Sequence, residues 1–285
     1  MPDLLIAVII TTLLSIFTIG SYLFVRSPSK NKLLILLLVL LMLPMNAIAY
    51  HFVRMPLDNF LVTIVQNLNV LTILRALYAP LTEEPAKLFI LTIPYFLKRI
   101  REFDLVKIAL AIGLGFGIGE AWNLAALISK SPVIAKYPWY QFTGFIGERW
   151  MVCIWHAAFT STALYFIIKK KNVIFGLLCA FSLHFIGNFP IFLSAWNVFN
   201  LGSIKWGIIL QLFTVFYFML MISILAYLKY GNNWLFKLVK GKMKCPECSK
   251  VYSRPIFKVN LFHKSYERCQ ECKKWHLVNL FDWKE

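Results

Sequence analysis

Glu83, Glu84, Glu120, His156 and His184 are the side chains of this 285-residue sequence best suited to chemistry. Each stands in or beside a long apolar run, where an ionisable side chain is costly and is by default a functional candidate. Carboxylates beside two imidazoles can take a proton from water and return one to a leaving amine. Asn188, four residues after His184, adds a donor for a developing oxyanion. That is the inventory for hydrolysing an amide bond. The plainer reading makes Glu83 and Glu84 an acidic pair that caps a helix beside Lys87 or Arg75. It makes Glu120 a packing residue bonded to Asn123 or Trp122, and the two histidines satisfied core residues.

The elements that must position these groups are membrane helices. Hydrophobic residues make up 59% of the chain and charged ones 15%, far more apolar than a soluble domain. Residues 4–25, 33–50, 105–128, 150–168, 173–198 and 206–228 approach or exceed the length of about 20 residues that a bilayer core of about 30 Å requires. Backbone polar groups in lipid must pair within their own segment, so these runs are helices. The first has no basic n-region or A-x-A-like cleavage site and reads as a retained span. Residues 56–97 are more polar and read as one re-entrant or interfacial piece plus one span, giving seven crossings, with eight as the alternative. The expected fold is all-α and polytopic, with a multi-span domain over 1–228.

The net charge of +17 follows from topology. Its basic clusters, Arg26/Lys30/Lys32, Lys98–Arg101, Lys169–Lys171 and everything from Lys229 onward, suit cytoplasmic loops of a multi-pass cell-membrane protein. That places the N-terminus outside and the C-terminal region in the cytoplasm. Counted along straight helices from these clusters, Glu83 and Glu120 each lie 15 residues from a cytoplasmic edge, and His156 and His184 each lie 13. At 1.5 Å per residue all four fall roughly 20–22 Å deep, one layer approached from the outer side. Within segments, Glu83 and Lys87, Phe116 and Glu120, His156 and Thr160, and His184 and Asn188 stand at i and i+4, on shared helix faces. Thr82 ahead of Glu83-Glu84-Pro85, with Pro80 closing the previous segment, reads as an N-cap, so that the glutamates open a helix.

Glu83-Glu84-Pro85-Ala86-Lys87 resembles the E-E-x-x-K motif of the PrsW family, and Phe116 to Glu120 its F-x-x-x-E motif. His156 and His184-x-x-x-Asn188 follow in matching order across residues 60–190. PrsW proteins group with the CAAX prenyl proteases, so the resemblance implies an intramembrane endopeptidase acting on a membrane-associated protein. It implies Glu83 or Glu84 as general base and His184 with Asn188 as oxyanion donors. Glu120 stands where the CAAX proteases carry a second-motif His, and Lys87 where they carry an Arg one position later. Metal-free glutamate catalysis is the preferred expectation, while a metalloprotease stays open because Glu and His are acceptable zinc ligands. The rival is a non-catalytic transporter or scaffold using the same charges for binding. A transporter would be expected to carry inverted repeats, and the sequence has none.

Two further patterns remain. The alternating glycines from Gly113 to Gly119 lack the Lys-Ser/Thr of a phosphate loop and fit close helix packing. At the other end, residues 229–285 carry 13 Lys or Arg against 5 Asp or Glu. There Cys245-x-x-Cys248 and Cys269-x-x-Cys272, 20 residues apart, match a four-cysteine zinc ribbon. Cys153 and Cys179 read as small apolar residues within spans. Around the ribbon, Lys244, Lys250, Arg254, Lys258, Lys264 and Arg268 alternate with Tyr252, Phe257, Phe262 and Tyr266. The bilayer surface is the expected partner of that basic tail; anionic headgroups, a protein or nucleic acid would also suit it.

Overall fold

The computed structural model describes residues 2–279 except 26, 133, 135, 136, 197–199, 232–241, 254, 256–258, 262 and 263. Arg26, Val198, Arg254, Phe257, Lys258 and Phe262, which figured in the expected pattern, lie outside the described residues. The chain divides into two compact units, Met1–Leu225 and Ala226–Glu285.

Among the described residues, eight helices build the first unit and its exit: α1 (Asp3–Val25), α2 (Asn31–Ile64), α3 (Leu68–Leu88), α4 (Pro94–Arg101), α5 (Leu105–Ile128), α6 (Trp139–Lys169), α7 (Val173–Ala195) and α8 (Gly202–Tyr230). Among the described residues six of them, all but α3 and α4, are long and apolar enough to cross a membrane. A polytopic helical membrane protein follows. α3 falls outside that set because Arg75, Glu83, Glu84 and Lys87 interrupt its apolar face.

α5 is the central helix, packed on α6 along most of its length and on α2 and α1 from its other sides. Its glycines make that possible. A Cβ at Gly113 would sit 2.4 Å from the backbone nitrogen of Ala157 in α6, and one at Gly119 would sit 1.9 Å from the carbonyl oxygen of Leu43 in α2. The alternating spacing therefore serves two neighbours on opposite faces of α5, and the close approach is to helices of this chain.

Three boundaries differ from expectation. First, α2 runs through residue 64 and carries a π-helical turn, Ala49–Arg54. The chain then breaks at 65–67, so that 58–64 is the end of a long helix rather than a re-entrant piece. Second, α3 begins at Leu68, capped by Asn67, whose side chain accepts from the backbone N–H groups of Asn69 (2.9 Å) and Val70 (3.2 Å). It continues through Pro80 and Pro85 to Leu88. Thr82 caps nothing; its hydroxyl donates back to the Ala79 carbonyl at 2.9 Å. Glu83 and Glu84 thus lie in the last two turns of a helix and have no free N-terminal N–H groups beside them. Pro is tolerated there because neighbouring segments can serve the carbonyls it leaves unpaired. Third, α6 starts at Trp139, not 150, which brings Arg149 into the helix.

After Leu88 the chain turns through a 3-10 segment, Phe89–Thr92, and an extended Ile93 before α4 starts on Pro94. The 15 residues from Glu83 to Lys98 therefore do not measure 22 Å of straight helix. Only five residues, roughly 7 Å, separate Glu83 from the end of α3.

In the second unit, β1 (Lys242–Lys244) and β2 (Val251–Ser253) form one antiparallel hairpin. β3 (Val259–Leu261), β4 (Lys264–Arg268) and β5 (Trp275–Asn279) form a three-stranded antiparallel sheet.

Candidate active site and cysteine cluster

Four helices converge on one buried network, and a fifth, α2, reaches it through Arg54. From α3 come Glu83, Glu84 and Lys87, which occupy one turn and are at most 3% exposed. α5 supplies Glu120, α6 supplies Arg149 and His156, and α7 supplies His184.

Lys87 is the hub. Its Nζ donates to Glu84 Oε1 at 2.5 Å and to His156 Nδ1 at 3.0 Å, and lies over the rings of Phe116 (5.2 Å) and Phe159 (5.4 Å). Of the acidic pair, Glu84 at i, i+3 takes the ammonium, as the plainer reading allowed, and Glu83, on the shared i, i+4 face, does not. An ammonium has no lone pair, so His156 Nδ1 must accept. The proton of that ring then sits on Nε2, 2.7 Å from Glu120 Oε2. Arg149 holds the other oxygen of Glu120 at 2.9 Å and also pairs with Glu148. Glu120 therefore bonds neither Asn123 nor Trp122, which reach Asn46 and Thr12 instead.

Glu83 is held through Oε1 by Arg54, at the end of the π-helical turn in α2. Arg75, the other cation considered for the acidic pair, instead bonds Asp58 at 2.6 and 3.0 Å. His184 Nδ1 donates to Glu84 Oε1 at 2.6 Å, and its ring stacks on Phe159 with centroids 5.2 Å apart. Its Nε2 lies 3.7 Å from Glu83 Oε2, beyond hydrogen-bond reach. Both Glu83 Oε2 and Glu84 Oε2 are buried, with no hydrogen-bond partner among the described residues. Asn188 stands one turn along α7 from His184, half-buried, and makes no hydrogen bond to the network among the described residues.

No family model, curated protein or solved structure matches this chain. The chemistry of the site therefore rests on its own geometry. Three cations, Arg54, Lys87 and Arg149, stand against Glu83, Glu84 and Glu120, which makes burial of so many charges tolerable. Reading the sequence found the carboxylates and histidines and missed Arg54 and Arg149. Arg149 had a signal, since it precedes His156 by seven residues and so shares its helix face. Arg54 had none, because it follows an apolar run that in the sequence ends at residue 50.

One atom each from Glu83, His156 and His184 lie within 4.8 Å of one another, close enough to hold a metal ion. Both nitrogens of His156 are already engaged, by Lys87 and Glu120, and a divalent cation would have to displace an ammonium to use Nδ1.

The second cluster is the four cysteines, whose sulfurs also lie within 4.8 Å of one another and could hold a metal. Two matching turns present them. Cys245 N–H donates to the Lys250 carbonyl and Cys269 N–H to that of Lys274, each at 2.9 Å. The residue after each second cysteine, Ser249 (φ 58°) and Lys273 (φ 63°), takes the left-handed conformation that closes the turn. Burial works against a charged Cys245, but the backbone N–H groups of Cys248 and Glu247 and the neighbouring thiols outweigh it and bring its thiol down to about 7. Behind it, Tyr252 donates to Glu267 at 2.7 Å and lies 2.7 Å from His276 Nε2. Burial first, then that bond to Glu267, raises the Tyr252 phenol and keeps it neutral.

Proposed function

We propose that this chain is an intramembrane endopeptidase of the PrsW type, hydrolysing a peptide bond of a membrane-associated protein with a buried glutamate as general base. The observation that carries the reading is the unpartnered carboxylate oxygen Glu83 Oε2, 3.7 Å from His184 Nε2, on the same turn as Glu84, whose Oε2 is also unpartnered among the described residues. A buried carboxylate oxygen without a donor is expensive, and a 3.7 Å gap to an imidazole nitrogen suits a bridging water.

Glu84 Oε1 already accepts from Lys87 and His184, whereas Glu83 accepts from Arg54 alone and keeps an oxygen facing His184, so Glu83 is the carboxylate assigned to take the proton. The hydroxide equivalent adds to the scissile carbonyl carbon. His184, held by Glu84 and stacked on Phe159, is placed to donate through Nε2 to the oxyanion, with Asn188 one turn away as a second donor. The proton on Glu83 then passes to the leaving nitrogen as the C–N bond breaks, which regenerates the carboxylate. His156, fixed between Lys87 and Glu120, orients the ammonium and touches no reacting atom.

The protein sits in the cell membrane with its N-terminus outside and residues 229–285, a basic zinc ribbon, in the cytoplasm. The sulfur geometry supports zinc. A tetrahedral site with Zn–S of about 2.3 Å has sulfurs about 3.8 Å apart, and Cys245 to Cys272 is 3.7 Å and Cys248 to Cys269 is 3.9 Å. Zinc there supplies folding energy, in the role of a structural metal.

Comparison of the membrane proteome of cells carrying the wild type with that of cells carrying Glu83→Gln or Glu84→Gln tests the reading, once the variants are seen to insert. At least one membrane protein should accumulate uncleaved in both. Identical cleavage of every membrane protein would end the protease hypothesis. Metal analysis of the purified full chain is expected to give one zinc per chain, and none for Cys248→Ser/Cys272→Ser. Two metals per chain would favour the metalloprotease reading, with Glu83, His156 and His184 as ligands.

A further inference from the structure

A cavity of about 930 Å³ opens between the end of α3, the 3-10 turn, α4 and the turn joining α6 to α7. Its walls are apolar, built by Leu88, Leu97, Ile167 and Leu177, and one end is Pro85, the residue after Glu84. Its remaining lining includes three cations, Arg101, Lys169 and Lys171, and no acidic residue. All three are exposed, and among the described residues none of them forms an ion pair.

The local structure explains why cations and an apolar wall meet here. α4 is short and two-faced: Phe96 and Ile100 are buried, while Lys98, Arg99 and Arg101 lie in its last turns. Such a helix lies along a membrane interface. Lys169 ends the π-helical last turn of α6, and Lys171 takes a left-handed backbone (φ 55°) just before Asn172 caps α7. Two of the three cations are thereby held on one tight turn at the edge of the apolar span.

We propose that this cavity binds an anionic phospholipid of the surrounding bilayer, with its phosphate among Arg101, Lys169 and Lys171 and an acyl chain along Leu88, Leu97 and Leu177. Unpaired cations at the interface attract anionic headgroups, and a basic pocket between transmembrane helices suits a phosphate better than a zwitterion of no net charge. The apolar wall distinguishes a lipid from a soluble phosphate, which would leave that surface uncovered. The lipid borders the helix that carries Glu83 and Glu84, but its binding does not depend on their being catalytic.

The full chain, purified in mild detergent, is equilibrated with mixed micelles of phosphatidylglycerol and phosphatidylcholine bearing identical acyl chains. Retained lipid is counted by native mass spectrometry. The wild type should retain one phosphatidylglycerol in preference to phosphatidylcholine. R101Q/K169Q/K171Q should lower that preference by roughly fivefold per cation, on the order of a hundredfold in all. K32Q/K130Q/K205Q, which removes three exposed cations outside the cavity lining, should leave it unchanged. Leu177→Trp, which fills the wall and keeps every charge, should also reduce retention. Equal retention of the two lipids by the wild type, an unchanged preference in the cavity variant, or an equal loss in the control variant overturns the proposal. So does full displacement by glycerol phosphate, which would make the cavity a site for soluble phosphate.

Discussion

Under the proposed protease mechanism, Glu83→Gln is expected to lower the rate of peptide hydrolysis by a factor of about 10³ to 10⁴, near the upper end of what a positioned general base contributes. The amide keeps the size of the carboxylate and can still face Arg54, so the fold is retained while the proton acceptor is lost. Glu84→Gln should cost less, on the order of a hundredfold, because Glu84 acts by holding His184 Nδ1 rather than by touching water. If the two act as one unit, the double variant should be no slower than Glu83→Gln, since groups that depend on one another are strongly non-additive. The rates are measured in bilayers, on a substrate that the proteome comparison yields. A Glu83→Gln protein that keeps more than a tenth of the wild-type rate would remove Glu83 from the role of base.

Lys87→Met is expected to give the largest loss of stability of any single substitution in the network. Its ammonium is fully buried between Glu84 and His156. Taking one partner from a buried ion pair leaves the other uncompensated, at a cost of about 3–5 kcal/mol. In a unit of this size that corresponds to a fall in Tm on the order of 10 °C. Lys87→Met/Glu84→Gln, in which neither charge remains, should recover most of the loss. Thermal unfolding of the detergent-solubilised variants checks this cycle. A Tm within a degree or two of the wild type for Lys87→Met would mean that Glu84 finds its counter-charge elsewhere.

The legible and illegible parts of the site separate along a physical line. Glu83, Glu84, Glu120, His156 and His184 could be picked out because lipid makes an ionisable side chain rare, so each stood out against an apolar background. The glycines of α5 were legible as packing residues for a similar reason, since alternating small residues in a span have few other uses. The cysteine pairs stood out because their spacing has few alternatives. Arg54 and Arg149 were hidden because each lies at the margin of an apolar run, where a cation reads as the start of a loop. The helices in fact run on past both. Pro80 misled in the same way. It is a helix breaker in water, yet α3 passes through it inside a packed bundle.

Taken alone, the sequence determined that the chain is a helical membrane protein with buried acids and imidazoles and a four-cysteine tail, because composition and local spacing carry those facts. The tertiary structure decided the partners. Lys87 sits on Glu84 and not Glu83, His156 is pinned between an ammonium and a carboxylate, and two carboxylate oxygens remain without donors. It also decided how far the acidic pair lies from the basic edge, since the chain turns at Leu88 where a straight count would have gone on. Pairing between helices depends on their rotation and crossing, set by close contacts such as Gly113 on Ala157 and Gly119 on Leu43. Those contacts join residues dozens of positions apart, and no local pattern in the sequence records which of them will meet.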